Sequence, residues 1–320
     1  MRTAHTPIEV GVVRRLIWLM MLVLPGWIVP TPAPADVRVF ACEPEWAALA
    51  REVGGDRISA FSATSDRQDP HYIRARPSLI ARIRQADLVF CSGGGLEVGW
   101  LPILLQRGAP ARVQLGQLGH LMAVDHVTVL EKPTVVDRSL GDIHPEGNPH
   151  VHLDARNIVP LAREVARRLS AIDAENAPTY IERADAFVRA WQGALADWQA
   201  RAKSLRGMSV VVHHKTWSYL VNWLGLNEVA SLEVRPGIPP TPAHLSKLLQ
   251  SMRTNPAAAI LRTPHDPPGA AKWLSDKTGI VVLVPSYTVA KNAGPGALRT
   301  MFDEIVDQLI AVRPRPNAGN

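Results

Sequence analysis

The 320 residues are 47% hydrophobic and 20% charged, a balance that suits one or two globular domains and excludes a disordered or fibrous chain. The formal charge of +6 is spread along the sequence without a long block of Lys and Arg, so a nucleic-acid partner is not expected.

In chain order, residues 1–35 come first and read as a secretory signal peptide. Arg14 and Arg15 precede the apolar run "LIWLMMLVLPGWIVP", and an Ala-Pro-Ala site closes it at Ala33–Ala35. A membrane anchor is the competing reading, but the run is shorter than the ~20 residues that span a bilayer and Pro25 interrupts it. No Cys ends the run, so a lipid anchor is not expected either. Cleavage after Ala35 removes three of the 35 basic residues and one of the 29 acidic ones, which leaves a net charge of +4.

After Asp36 short β-like runs alternate with amphipathic helices. "VRVFAC" reads as a strand, "EPEWAALAREVGG" as a helix, "RISAFSAT" as a strand, "RPSLIARIRQA" as a helix and "DLVFCSGGG" as a strand entering a glycine-rich turn. Such alternation predicts a parallel sheet with helical crossovers. Residues 120–150 read as loop, and residues 157–205 as nearly continuous helix, with a last piece of about 30 residues. Globular helices average about 11–12 residues, and this one keeps no coiled-coil seam, so a helix bridging two domains is expected. The alternation then restarts with "MSVVVHH", "KTWSYLVNWLG", "TPAHLSKLLQSMRTN", "AAAILRT", "PPGAAKWLSDKTG", "IVVLVPS" and a closing helix from "GPGALRTMFDEIVDQLIAVR". The expected organisation is a signal peptide at 1–35, an α/β lobe at 36–172, a backbone helix at 173–205, a second α/β lobe at 206–313 and a disordered tail at 314–320.

Cys42 and Cys91 each end a short apolar run, so neighbouring strands would bring them together. A disulfide is expected in an exported protein, the alternative being two buried thiols. The informative histidines are His71, the pair His150 and His152, the pair His213 and His214, and His265. Each lies just before a helical segment, and His71, His213, His214 and His265 also follow a strand-like one. In an open parallel sheet those loops gather at the carboxyl ends of the strands, where ligands bind. Spacings of 79 and 64 residues resemble no zinc-finger clip and describe a site assembled by the fold.

Taken together, the motifs resemble the zinc and manganese solute-binding proteins of bacterial ABC transporters. "QDPHYIRARPS", "GNPHVHLD" and "HHKTWSYL" are similar to that family's three ligand segments, and "GGGLEVGW" and "LEVRPGIPPTPAHL" to two of its turns. The resemblance implies two lobes joined by a rigid helix, with a metal in the cleft held by His71, His150 and His214 rather than His213. It also implies a membrane permease as partner, a periplasmic location and a receptor in place of an enzyme; a monomer is expected. Three features depart from the family pattern. His152 stands where the family has an aromatic, and local packing is expected of it. "VLVPSYTVAK" offers Tyr287 and no late carboxylate, which leaves water, Asp69, His265 or Asp266 for a fourth position. The loop before the second ligand holds only His120, His126 and His144, a thin version of the family's His-rich insertion.

Three imidazoles without an evident carboxylate favour Zn²⁺ over Mn²⁺, although Cu²⁺ would bind such a set at least as tightly. Two other classes compete: a secreted zinc hydrolase and an adhesin with a structural metal. The hydrolase would need a base beside the metal, and neither an H-E-x-x-H nor a Gly-x-Ser-x-Gly motif occurs. N-terminal sequencing of the exported protein is expected to begin at Asp36; a sequence beginning at Met1 would refute the cleavage assignment.

Overall fold

The computed structural model describes residues 37–134, 141 and 144–313; the expected signal peptide and the expected tail lie outside them. Two four-stranded sheets organise the chain, and every strand pair in both is parallel. The first runs β2-β1-β3-β4, from β1 (Val37–Ala41), β2 (Ile58–Ser62), β3 (Leu88–Cys91) and β4 (His120–Met122). The second runs β6-β5-β7-β8, from β5 (Ser209–Val212), β6 (Asn227–Ser231), β7 (Ala259–Leu261) and β8 (Val281–Leu283). Each sheet therefore reverses its strand order once, beside its first strand, and such a switch point opens a crevice at the carboxyl ends.

Helices cover the sheet faces: α1 (Pro44–Gly54), α2 (Pro77–Ile83), α3 (Leu101–Gly108) and α4 (Ile158–Ile172) in the first half, α6 (Ser218–Leu224), α7 (Pro242–Thr254), α8 (Pro268–Thr278) and α9 (Ala297–Val312) in the second. The central strands are buried on both sides, as runs such as Leu88–Cys91 and Val210–Val212 require. Between the halves lies α5 (Ala177–Arg201), preceded by a 3₁₀ turn at Ala174–Asn176 and followed by another at Ala202–Leu205. Its buried residues Tyr180, Ala184, Val188, Trp191, Ala194 and Trp198 recur every three or four positions and form one stripe.

That stripe packs on α1, α4 and α9, and Trp191, Trp198, Trp223 and Phe302 join in a cluster with centroids 5.3–6.1 Å apart, edge-to-face except for the tilted Trp198–Phe302 pair. One hydrophobic core thus runs from β1 and α1 through α5 to β5 and α9. The helix breaks where expected, at Asp173, whose carboxylate accepts from the Tyr180 hydroxyl at 2.7 Å and Asn176 Nδ2 at 2.8 Å.

Three elements were not expected. The segment 120–150 does not read as strand, yet His120–Met122 pairs with β3; three residues are too few for an alternating pattern to show. β6 is an edge strand of sequence Asn-Glu-Val-Ala-Ser, none of it fully buried, so it lacks the apolar signal of its neighbours. Helix α3 follows the glycine-rich turn with only eight residues. Among the described residues no helix is long and apolar enough to cross a membrane.

Cys42 and Cys91 form a disulfide, with Cα atoms 4.8 Å apart. The pairing follows from register: Ala41 lies opposite Phe90, so the next residues of two adjacent parallel strands meet at the switch point. Thiol titration of the unfolded protein without reductant is expected to find no free thiol. Replacing both cysteines by Ala is expected to lower the unfolding free energy by about 2–4 kcal/mol in urea denaturation, since the bridge closes a loop of roughly 50 residues.

Candidate metal centre

The three expected histidines come from three separate loops, those of His71 and His214 after β2 and β5 and that of His150 just before the 3₁₀ turn Val151–Leu153, and each is braced locally. His71 sits in the 3₁₀ turn Pro70–Tyr72 after β2, where the Asp69 carboxylate accepts from the His71 backbone N–H at 3.0 Å and pairs with its Nδ1 at 2.7 Å. His150 follows Asn148 and Pro149. Asn148 Oδ1 accepts from the His150 N–H at 3.0 Å, while Asn148 Nδ2 donates to Glu131 at 2.9 Å and to the Lys215 carbonyl at 2.8 Å. The Tyr219 hydroxyl donates to the Asn148 carbonyl at 2.8 Å. This asparagine therefore ties the turn that carries His150 to the segment that carries His214. His214 follows β5, and its Nδ1 pairs with Glu233 Oε2 at 2.7 Å; the same oxygen accepts from the Gly237 N–H at 2.9 Å.

These side chains converge. One ligand atom from each of His71, His150 and His214 lies within 4.8 Å of the others, and the ring centroids are 5.6–6.0 Å apart. Because Asp69 and Glu233 occupy the Nδ1 atoms of His71 and His214, their Nε2 atoms are the ones left for the centre. His150 is 3% exposed, and its Nε2 is buried without a hydrogen-bond partner, an orphaned lone pair or proton that a ligand would satisfy. Burial, reinforced by the neighbouring His71 and His214, holds the His150 pKa well below the ordinary imidazole value. Burial pushes the His214 pKa down as well, but the Glu233 carboxylate outweighs it and the net shift is upward. At Asp69 burial is likewise outweighed, here by the His71 contacts, and its carboxyl titrates below the usual range.

The remaining candidates separate cleanly. His213 is buried and is not among the converging donors. His152 packs locally as expected, its Nε2 2.8 Å from the Tyr287 carbonyl and its Nδ1 3.3 Å from Glu45. Asp69 stands behind His71 as its hydrogen-bond partner, and Asp266 Oδ2 accepts from the Thr263 N–H at 2.7 Å to close its own turn. His265 stacks edge-on against Tyr287 on the wall of the same cavity, and the Tyr287 hydroxyl donates to the Gln68 carbonyl. His120 Nδ1 bonds to the Val113 carbonyl and His126 faces Glu164, both away from the centre. His144 differs: its ring lies beside His71, with the two Nε2 atoms 3.2 Å apart. The sequence signal for it was a His-Pro pair six residues ahead of His150, which a loop reading passes over.

Beneath the site lies a layer of buried acids. Gly93, Gly94 and Gly95 all adopt positive φ, and a side chain at Gly94 would press on the Gly147 carbonyl and Pro149 at 3.3 Å. The glycines thus let the turn after β3 approach the loop that carries His150. Glu97 caps this turn, accepting from the Ser92 N–H at 2.8 Å and the Gly93 N–H at 3.2 Å. Glu43 also reaches Ser92, at 3.3 Å. Burial and mutual repulsion raise the Glu43 pKa well above the usual value, and burial raises that of Glu97 to about 7.

Two parallel α/β lobes on one long helix, with imidazoles of both lobes facing one point, are the architecture of a substrate-binding protein of a metal ABC transporter. The chain belongs to the family described as zinc-uptake complex component A, periplasmic, whose model matches residues 39–312. Among curated relatives, the metal ABC transporter substrate-binding lipoprotein ScbA of Streptococcus cristatus is 22% identical over 79% of this chain and 80% of its own length. The zinc-binding lipoprotein AdcA of Streptococcus pneumoniae is 25% identical over 72% of this chain but only 46% of its own length. The iron ABC transporter substrate-binding lipoprotein MtsA of Streptococcus pyogenes is 22% identical over 81% and 83%. The fold matches a crystal structure of ZnuA with a TM-score of 0.73 at 17% identity, covering 87% of this chain and 100% of that one. It matches FpvC of Pseudomonas aeruginosa in complex with Mn²⁺ equally well, at 0.73 and 20% identity, covering 87% and 98%.

The acid layer makes a prediction with a definite sign. A carboxyl whose pKa rises from 4.5 to about 7 on folding binds more protons folded than unfolded between those values, so stability falls as pH rises through that window. Glu97→Gln removes this contribution. Urea denaturation between pH 5 and pH 7.5 is expected to show the variant gaining on the wild type as pH rises; a constant difference would refute the assignment.

Proposed function

We propose that this protein is an exported Zn²⁺ receptor that binds the ion between its lobes and delivers it to the membrane permease of an ABC transporter in the periplasm. The observation that carries the reading is the convergence of His71, His150 and His214 from three loops far apart in the sequence. All three donors are imidazole nitrogens, and no carboxylate oxygen joins the cluster among the described residues. Manganese and iron favour hard oxygen donors, whereas an imidazole-rich set favours zinc, which supports Zn²⁺ as the cargo. The relative MtsA is an iron ABC transporter lipoprotein and FpvC was solved with Mn²⁺, so kinship alone does not choose the metal, and the donor set is what supports zinc.

Delivery follows from the placement of the ligands. His71 and His150 belong to the first lobe and His214 to the second, so separating the lobes removes a ligand and weakens the hold on the ion. The two nearest outer carboxylates, Asp69 and Glu233, are hydrogen-bonded to ligand imidazoles. Neither is placed as a free general base, and this favours a carrier over a hydrolase. The Ala-Pro-Ala site and the lipoprotein and periplasmic descriptions of the relatives support export. A single chain supplies all three ligands, so a monomer suffices for binding.

Chelator competition with the purified mature protein tests the reading. Replacing His71, His150 or His214 by Ala is expected to weaken Zn²⁺ binding at least about 100-fold while the far-ultraviolet circular dichroism stays that of the folded protein. His152→Ala is expected to change the affinity far less. Wild-type affinity in any of the three Ala variants would overturn the ligand set, and Mn²⁺ binding tighter than Zn²⁺ would overturn the choice of cargo.

A further inference from the structure

We propose that His144 is the fourth protein ligand, completing a four-imidazole site with His71, His150 and His214; the proposal rests on the three-His reading above. The argument begins with protons. His71 Nδ1 faces the Asp69 carboxylate at 2.7 Å, and His144 Nδ1 faces the Gly94 carbonyl at 3.1 Å. A carboxylate and a carbonyl only accept, so both Nδ1 atoms carry a hydrogen, and in the neutral rings that metal binding requires the second nitrogen has none. Both Nε2 atoms then bear lone pairs, and these face one another across 3.2 Å. Two lone pairs at that distance repel unless an electrophile stands between them.

A metal ion meets that requirement with the right dimensions. Two nitrogens bound to one tetrahedral Zn²⁺ at roughly 2.0–2.1 Å lie about 3.3 Å apart, close to the separation of this pair. The His144 ring also lines the same cavity as His150 and His214. His144 falls outside the trio whose donors already lie within 4.8 Å of one another. Closing of these rings on one ion to the ~3.3 Å edges of a zinc tetrahedron is expected to draw in His144, whose Nε2 already stands at that separation from His71.

The built features around His144 serve this placement. Gly94, with φ of +63°, presents the carbonyl that fixes the His144 tautomer, just as Asp69 and Glu233 fix those of His71 and His214. The Gly147 N–H donates to the His144 carbonyl at 3.0 Å, closing the turn that leads into Asn148-Pro149-His150. The two ligands His144 and His150 are thus held by one short loop against the glycine-rich turn. Asp69, His265 and Asp266 leave the fourth position to it: two are engaged elsewhere and His265 lies against Tyr287. A site of four nitrogens and no oxygen would discriminate against Mn²⁺ more strongly than three nitrogens and water.

The test uses the mature protein loaded with one equivalent of Zn²⁺, and with Co²⁺ as a spectroscopic substitute. X-ray absorption is expected to count four imidazoles in the wild type and three in His144→Ala, and chelator competition is expected to show a loss of Zn²⁺ affinity of at least about tenfold. In the Co²⁺ form the visible bands are expected to shift as a water replaces the ring. His144→Asp, which offers an oxygen, is expected to raise Mn²⁺ affinity relative to Zn²⁺. Three imidazoles in both proteins would overturn the proposal while leaving the three-His site intact, and would assign the close pair to a shared proton. Weaker binding with an unchanged imidazole count would also overturn it, making His144 a positioning residue. Unaltered Zn²⁺ binding in His71→Ala, by contrast, would remove the underlying reading itself.

Discussion

A neutral imidazole has one hydrogen to give and one lone pair to offer, and the site is built by deciding which nitrogen does which. Asp69 takes the Nδ1 hydrogen of His71, and Glu233 takes that of His214. With those hydrogens committed, the Nε2 lone pairs are turned inward before any ion arrives. His150, buried against the other rings, resists protonation because a cation there would be neither solvated nor paired. Everything else in the molecule holds these rings at the distance where their lone pairs meet.

The sheets supply that distance. Each reverses strand order once, and histidines from the two halves converge on one point. The first crevice is reinforced by the Cys42–Cys91 bridge and by the capped glycine turn below His150. Burying Glu43 and Glu97 there is unfavourable for their charged forms, and their raised pKa values record it. In return the Ser92 and Gly93 amides find acceptors in a place water does not reach. The second crevice carries His214 and is joined to the first by Asn148, which bonds to His150 and to the Lys215 carbonyl together.

Helix α5 makes the two lobes one scaffold. Its apolar stripe is shared by a core that reaches both sheets, and its tryptophans interlock with Trp223 and Phe302. A core packed this tightly has few alternative arrangements, so the separation of the ligand-bearing loops is set far from the loops themselves. Under the proposed reading, in which the ligands are divided between the lobes, a modest relative displacement would change the affinity sharply.

Much of this was legible in the residue order. Alternating apolar runs and amphipathic helices announced parallel sheets, because a strand buried on both faces must be apolar throughout and its crossover must be amphipathic. The uninterrupted stripe from Tyr180 to Trp198 announced the long helix, and Asp-Pro-His, Asn-Pro-His and His-His-Lys-Thr-Trp marked three imidazoles for one place. What the order of residues left open was decided by contacts between distant segments. β4 and β6 are strands because neighbours offer them hydrogen bonds, three to five residues of mixed polarity carrying too little pattern to say so. That His152 turns to Glu45 and the Tyr287 carbonyl, and that His144 meets His71, depends on groups 73 to 135 residues away. Local sequence controls where a histidine sits on its turn, but the acceptor for its one hydrogen, and so the direction of its lone pair, comes from wherever the fold brings an oxygen.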